Sequence, residues 1–271
     1  FAESVPVLAI VGQPPRFLEG RGAFQDSSGI GRSVDARGLF GAIAKHVWRI
    51  EDARDVRHFW LRLAEAGRAA LSGRPGPSVV LVPRDLHDCE VGPMPADFPR
   101  DLFELRPRAP VPEEEVSRLF EAIRAAERPV LLAGSGLSRC SAPSWLLTFA
   151  RAAGIPVVTT MGDPGAFPND DPLWLGMVGA AGHASAHRYL VEEADLIVAV
   201  GAGLNVMTRR PIQAALARCQ VAVVNIDAGE VRRSVDSDLV VEADAGEVFR
   251  RLCSRWAAAP FFHQAPRGFR P

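Results

Sequence analysis

Apolar residues in this chain fall into short unbroken runs, separated by stretches in which they recur every three to four positions. The runs Ser4–Gly12 and Pro77–Pro83 lack polar alternation, which predicts strands of a parallel sheet covered on both faces. His46–Ile50 is a shorter strand between them, reached through a long polar, glycine-rich connection. Val56, Phe59, Trp60, Leu63, Ala64 and Gly67 lie at helical spacing and predict a helix over about 53–72, capped by Asp52 and stopped by Gly73.

Residues 84–112 carry many prolines and change charge sign often, the composition of an interdomain connection. From Pro112 onward, strand and helix patterns alternate. Glu113, Glu114 and Glu115 put negative charge at a helix start, where the helix dipole favours it. Strands are predicted at Pro129–Gly134, Ile155–Thr160, Asp195–Gly201, Val221–Asp227 and Leu239–Asp244. Helices are predicted at Ser144–Ala153, His187–Glu193 and Arg209–Arg218. This alternation predicts α/β architecture, with a Rossmann-like doubly wound domain preceded by part of a second α/β domain. The expected division is a first part over 1–92, a linker over 93–112, the doubly wound domain over 113–257 and a tail over 258–271.

Composition agrees with two globular domains: 271 residues, 48% hydrophobic and 23% charged. A net charge of −1 gives no electrostatic case for nucleic acid or an anionic membrane. No apolar run approaches the ~18 residues of a membrane helix, and no signal-peptide pattern follows Phe1. A cytoplasmic location is expected. Phe1 is not Met, so the sequence reads as starting at a cut or processed end. Cys89, Cys140, Cys219 and Cys253 are widely spaced without a CxxC, which predicts reduced thiols rather than a zinc site or redox pair. Lys45 is the single lysine among 31 basic residues.

In doubly wound sheets, ligands bind at the carboxyl ends of strands. Here those ends read Gly134-Ser-Gly136, Thr159-Thr-Met161, Gly201-Ala-Gly203 and Asp227. Glycine at such an end lets backbone N–H groups approach a phosphate, and a later carboxylate can take ribose hydroxyls. Strand-to-helix turns use glycine for their own geometry too, and Arg139 stands where a GxGxxG motif has its third glycine. His183 and His187 share helical spacing without an HExxH pattern and read as helix-surface or loop residues. Asp163, Asp170 and Asp171 lie in a Pro/Gly loop and read as turn residues.

Taken in order, several segments resemble a known family. Gly20-Arg-Gly-Ala-Phe-Gln-Asp26, Lys45-His46 and Gly73-Arg-Pro-Gly-Pro77 leading into Ser78–Pro83 are similar to the second half of the pyrimidine-binding domain of thiamine-diphosphate enzymes, the acetolactate synthase group in particular. Arg128–Gly136, Gly154–Thr160, Leu175-Gly-Met177, Ala194–Gly201 and Asn225-Ile-Asp227 resemble the central domain of the same enzymes, in order and spacing, over about residues 128–250.

The resemblance implies a carboligase or 2-oxo acid decarboxylase that uses thiamine diphosphate and Mg2+ on a small 2-oxo acid. It implies that Phe24, Gln25 and Lys45 border the substrate pocket. A Gln amide both donates to and accepts from a carbonyl adduct, and a Lys offers a point charge to a carboxylate. It further implies a nucleotide cleft drawn from Gly134, Ser135, Gly136, Thr160, Met161, Gly176, Met177, Gly201, Ala202, Asn205, Asn225, Asp227 and Asp244. The synthases carry FAD there, while oxalyl-CoA decarboxylase carries ADP. Two arginines that hold the flavin in the synthases are matched here by Gly203 and Gly41, and Ala202-Gly-Leu-Asn205 is closer to the oxalyl-CoA decarboxylase pattern. Flavin, an adenine nucleotide and an empty cleft all stay open.

The family's cofactor-activating glutamate is expected upstream of Phe1, and its Gly-Asp-Gly motif for magnesium and diphosphate on a third domain after about Pro271. Gly162-Asp163-Pro164 is not that motif. The chain is therefore expected to be inactive alone, with its tail leading toward the diphosphate-binding domain. It reads as a fragment, as one subunit of a split enzyme completed by the chain that carries that domain, or as a non-catalytic nucleotide-binding or structural relative. A homo- or hetero-oligomer is implied, because the cofactor of this family sits between subunits.

Overall fold

A computed structural model of the chain describes residues 3–107 and 110–264. The chain forms two compact units, residues 1–108 and 109–271. The first unit is built on three parallel strands, β1 (Val7–Gln13), β2 (His46–Arg49) and β3 (Pro77–Pro83), in the order β1-β3-β2. Central β3 buries Val79, Val80 and Leu81. Alternate residues serve opposite faces, as the pleat requires. Val79 and Leu81 pack with Ala36 and Phe40 of a short helix, while Val80 packs with Ala66 and Phe59 of the helix Phe59–Leu71.

β1 starts at Val7 rather than Ser4, because Ser4 has φ +55°, a left-handed turn that no strand accommodates. The helix expected over 53–72 is divided into Ala53–Arg57 and Phe59–Leu71. At the division, the His58 ring Nδ1 lies 2.9 Å from the Arg54 carbonyl and competes for a helical acceptor. Asp52 does cap, accepting from the N–H groups of Arg54 and Asp55. The stretch expected as a linker packs on the first unit as far as Leu105: Phe98 and Leu105 cover Ala64 and Leu71.

The second unit contains six parallel strands: β4 (Pro129–Ala133), β5 (Val157–Thr160), β6 (Trp174–Val178), β7 (Leu196–Val200), β8 (Gln220–Asn225) and β9 (Leu239–Glu242). Their order is β6-β5-β4-β7-β8-β9, so the chain winds outward from β4 one way and from β7 the other. This is the doubly wound arrangement, with its switch point between β4 and β7. Helices Glu113–Ala125, Ser144–Ala153 and Ala245–Ala258 cover one face around Phe149 and Phe249. Tyr189, Leu190, Ile212 and Ala215 cover the other face. β4 and β7 are buried throughout, as their unbroken apolar runs require.

β6 lies outside the predicted strands. Its pairing with β5 slips by one residue, with Val157 opposite Trp174 but Thr159 opposite Met177. That is a bulge at Leu175-Gly176, where Gly176 has φ +111°. The last helix, Ala245–Ala258, begins where Asp244 caps it through Glu247 N–H. The expected tail over 258–271 leaves the described residues at position 265.

Candidate functional site

In the first unit, chemistry-bearing side chains gather where the parallel strands end. Arg16, just past β1, pairs with Asp85, just past β3, at 2.8 Å, and its backbone N–H donates to the same carboxylate at 3.0 Å. Burial pushes the Asp85 carboxyl up, but the Arg16 contacts outweigh that and hold it below the usual range. Arg49, at the end of β2, pairs with Glu19. From there the chain enters the loop that holds Phe24 and Gln25. Asp26 ties the loop by accepting from Gly20 N–H (2.8 Å) and Ser28 N–H (3.0 Å), and the Ser28 side chain, followed by these two N–H groups, keeps its carboxyl low. A Cβ on Gly20 would sit 2.4 Å from Ile30 Cγ2, so the loop needs glycine there.

At the tip, Phe24 is 88% exposed and Gln25 adopts φ +53°. A non-glycine residue in the left-handed region carries strain of roughly 1–3 kcal/mol, and such strain gathers at functional loops.

Lys45 is not with them. It precedes β2, at the amino edge of the sheet, about 13 Å along the strand from Arg49 at ~3.3 Å per residue. Its ammonium donates to the Ser72 carbonyl and to Ser72 Oγ at 3.3 Å, and its N–H donates to Pro77 O at 2.7 Å. Burial lowers its pKa. Phe24 and Gln25 thus share the carboxyl edge of the sheet, and Lys45 fastens a helix end at the opposite one.

In the second unit, the predicted cleft residues do stand at the carboxyl edge, but they divide into two groups. Gly134, Gly136 and Gly201 close the switch point on itself. Gly134 N–H donates to Val200 O (2.9 Å) and Gly136 N–H to Gly201 O (2.8 Å). A Cβ on Gly134 would lie 2.6 Å from Ala202 Cα, and one on Gly136 2.8 Å from Gly201 Cα. These glycines serve a close approach of two backbones, and their N–H groups are already engaged.

Asn225 is similarly occupied: its Nδ2 donates to Ala202 O (3.3 Å), and its Oδ1 accepts from Asp227 N–H (3.0 Å). Asp244 accepts from Ser141 N–H and Oγ and from Glu247 N–H. Gly176 makes room for His183, whose Cβ lies 2.8 Å from the missing Gly176 Cβ.

The other group faces outward. Nothing lies within 4 Å of a Cβ placed on Gly203. Beside it Leu204 is buried at φ +46°, Asn205 caps the helix Val206–Arg209 through Thr208 N–H, and Val206 and Met207 are 55% and 52% exposed. The turn Gly179–Gly182 beyond β6 joins this surface, with Ala180 N–H donating to Met207 O (2.9 Å) and Ala181 N–H meeting Met161 Sδ (3.5 Å). Met177, at the end of β6, stands next to the same turn. Met161 and Met207 thus meet at one crown, a soft, polarisable apolar surface. Asp227 borders it beyond β8, with one carboxylate oxygen accepting from Glu230 N–H (3.2 Å). Thr160 is 7% exposed beneath Met161 at the end of β5, and Ser135 is half-buried beside the switch point.

Sequence reading missed Met207, the Gly179–Gly182 turn and the roles of two histidines. His183 Nδ1 accepts from Met177 N–H (2.9 Å) and His187 Nε2 from Gly179 N–H (3.1 Å). The only signal was their spacing of four. Among the described residues, no group of three His, Cys, Asp or Glu side chains could hold a metal ion, and no helix is long and apolar enough to cross a membrane.

The family model for the central domain of thiamine pyrophosphate enzymes matches residues 116–252, the whole of the sheet just described. The chain belongs to the thiamine pyrophosphate enzymes. The similarity extends through both units. A probable acetolactate synthase large subunit of Methanocaldococcus jannaschii is 34% identical over 256 residues, 93% of this chain and 41% of that protein. The acetolactate synthase large subunit of Corynebacterium glutamicum is 32% identical over 254 residues, 92% of this chain and 38% of its own length. A chloroplastic acetolactate synthase 1 of Zea mays is 34% identical over 248 residues, 89% of this chain and 36% of its own length. The chain thus spans about two-fifths of the curated relatives it matches. Its α/β fold and its resemblance to acetolactate synthases stand as the sequence reading had them.

Proposed function

We propose that this chain is part of a thiamine-diphosphate-dependent carboligase of the acetolactate synthase type, acting on 2-oxo acids. Residues 1–92 would be the carboxyl-terminal part of its pyrimidine-binding domain and residues 113–257 its central domain. The observation that carries this reading is the identity of 34% sustained over 256 residues, across both units. The chemistry that thiamine diphosphate and Mg2+ supply to such an enzyme is an electron sink for decarboxylation. Among the described residues, no group of three His, Cys, Asp or Glu side chains could hold that metal. A chain or segment carrying the diphosphate-binding domain would complete the site, in a homo- or hetero-oligomer.

In this reading Phe24 supplies an apolar wall to a partner's cofactor, and the Gln25 amide donates to and accepts from the substrate's oxygens. The crown of Met161, Met177, Met207, Gly203, Asn205 and Asp227 takes an adenine nucleotide: flat, apolar and soft on one side, with a carboxylate oxygen for ribose on the other. ADP is favoured over FAD, because Gly203 stands where the synthases place a flavin-binding arginine.

The full gene product, with any co-expressed partner, should release CO2 from at least one of a panel of 2-oxo acids only when thiamine diphosphate and Mg2+ are added. No cofactor-dependent release from any of them would overturn the reading.

A further inference from the structure

The Gly179–Gly182 turn contributes no charged side chain and one of its glycines has φ +128°, yet it holds the crown together. Two imidazoles fix it. Each uses one ring nitrogen as an acceptor for a backbone N–H, His183 Nδ1 for Met177 and His187 Nε2 for Gly179. A nitrogen that accepts carries no proton, so the ring protons must sit on His183 Nε2 and His187 Nδ1. The bulge at Gly176 is shaped to let His183 in, and Trp174 packs edge-on against it with ring centroids 5.5 Å apart. Gly182 is held equally close, since a Cβ there would lie 2.8 Å from His187 Nε2.

We propose that His183 and His187 are positioning residues: a paired, neutral acceptor clasp that sets the Gly179–Gly182 turn and, through Ala180 and Ala181, the methionine wall against which a nucleotide base or ring would lie. The ligand clause rests on the function proposed above; the clasp does not. Protonating either ring turns its acceptor into a donor facing an N–H, and the turn loses that anchor. β6 and the turn carry no charge. Charged groups on neighbouring elements include Asp163 beyond β5, Arg209, whose guanidinium donates to Ser234 O, Arg210 beside it, and Arg218, whose guanidinium donates to Leu190 O and Val191 O. Arg188, Glu192 and Glu193 follow on the clasp's own helix. Burial is the main cause that lowers the pKa of His187; the backbone hydrogen bond at Gly179 acts against it, and neighbouring His183 acts with it.

The test is histidine 15N NMR on the full chain at pH 7.5, followed by amide hydrogen exchange at Met177 and Gly179 between pH 8 and 5. The expected spectrum shows Nε2–H for His183 and Nδ1–H for His187. After correction for intrinsic rates, exchange at both amides should rise at least tenfold on protonation. H183N/H187N, which replaces each ring with a non-titrating acceptor, should flatten that rise, while H187L should give fast exchange at Gly179 at every pH. The opposite tautomers, or protection unchanged across the titration, would overturn the clasp. ADP and FAD affinities over the same pH range separate the two ideas. An intact clasp with no nucleotide binding sinks only the ligand reading. Binding that does not vary with pH in a protein whose amides do respond sinks the link between clasp and wall.

Discussion

Gly136 is a glycine for a reason that lies in its neighbour: a Cβ there would lie 2.8 Å from Gly201 Cα. Nothing in a single sequence says which chain approaches a glycine. Gly136→Ala should therefore destabilise by about 1–3 kcal/mol, the usual effect of overpacking, whereas Gly203→Ala, in open space, should be near neutral. Thermal unfolding of the two variants checks this. Gln25 offers the converse test. Gln25→Gly should stabilise by about 1 kcal/mol through relief of left-handed strain, and an unchanged or lower melting temperature would speak against a strained tip. The sheet edge that Lys45 occupies was not legible, because a lone lysine in a matching segment gives no hint of it. Among the thiols, burial pushes Cys253 up to about 11, leaving on the order of one thiolate in a thousand at pH 8. Cys219 is pushed up by the same cause. Both should resist iodoacetamide in the folded protein, as peptide mass mapping would show.

At the scale of elements, unbroken apolar runs were legible because a strand covered on both faces has no polar alternation to hide it. β3 coincides with its predicted run, and β4 and β7 fall within theirs. β6 was missed: it has five residues, one of them glycine, and a bulge disrupts its periodicity. The helix Ala36–Gly41 was hidden in a glycine-rich stretch, where Asp35 caps it through Gly38 N–H. Side-chain caps recur at the ends of later elements. Asp244→Ala should cost about 1–2 kcal/mol, because it removes acceptors from both the last helix and Ser141. Chemical denaturation of that variant measures the loss.

At the scale of the molecule, the alternation of strands and helices disclosed two α/β units, while the carboxyl edges that carry candidate chemistry depended on topology. The pH response belongs here. His187 and His263 have pKa values lowered, with burial the leading cause in each. The unfolded chain thus binds protons that the folded one resists. Their contribution is present above about pH 6.5 and is lost as pH falls through the lower folded values. Melting temperature should decline between about pH 6.5 and 5, with a smaller decline in H187N.

We propose that function sits on the carboxyl edge, with Gln25, and away from Lys45. Its most direct test is 2-oxo acid turnover by the full gene product with Gln25→Ala or Lys45→Met. Gln25→Ala should lower kcat at least tenfold at an unchanged melting temperature, while Lys45→Met should lower the melting temperature and keep kcat. The reverse pattern would contradict it.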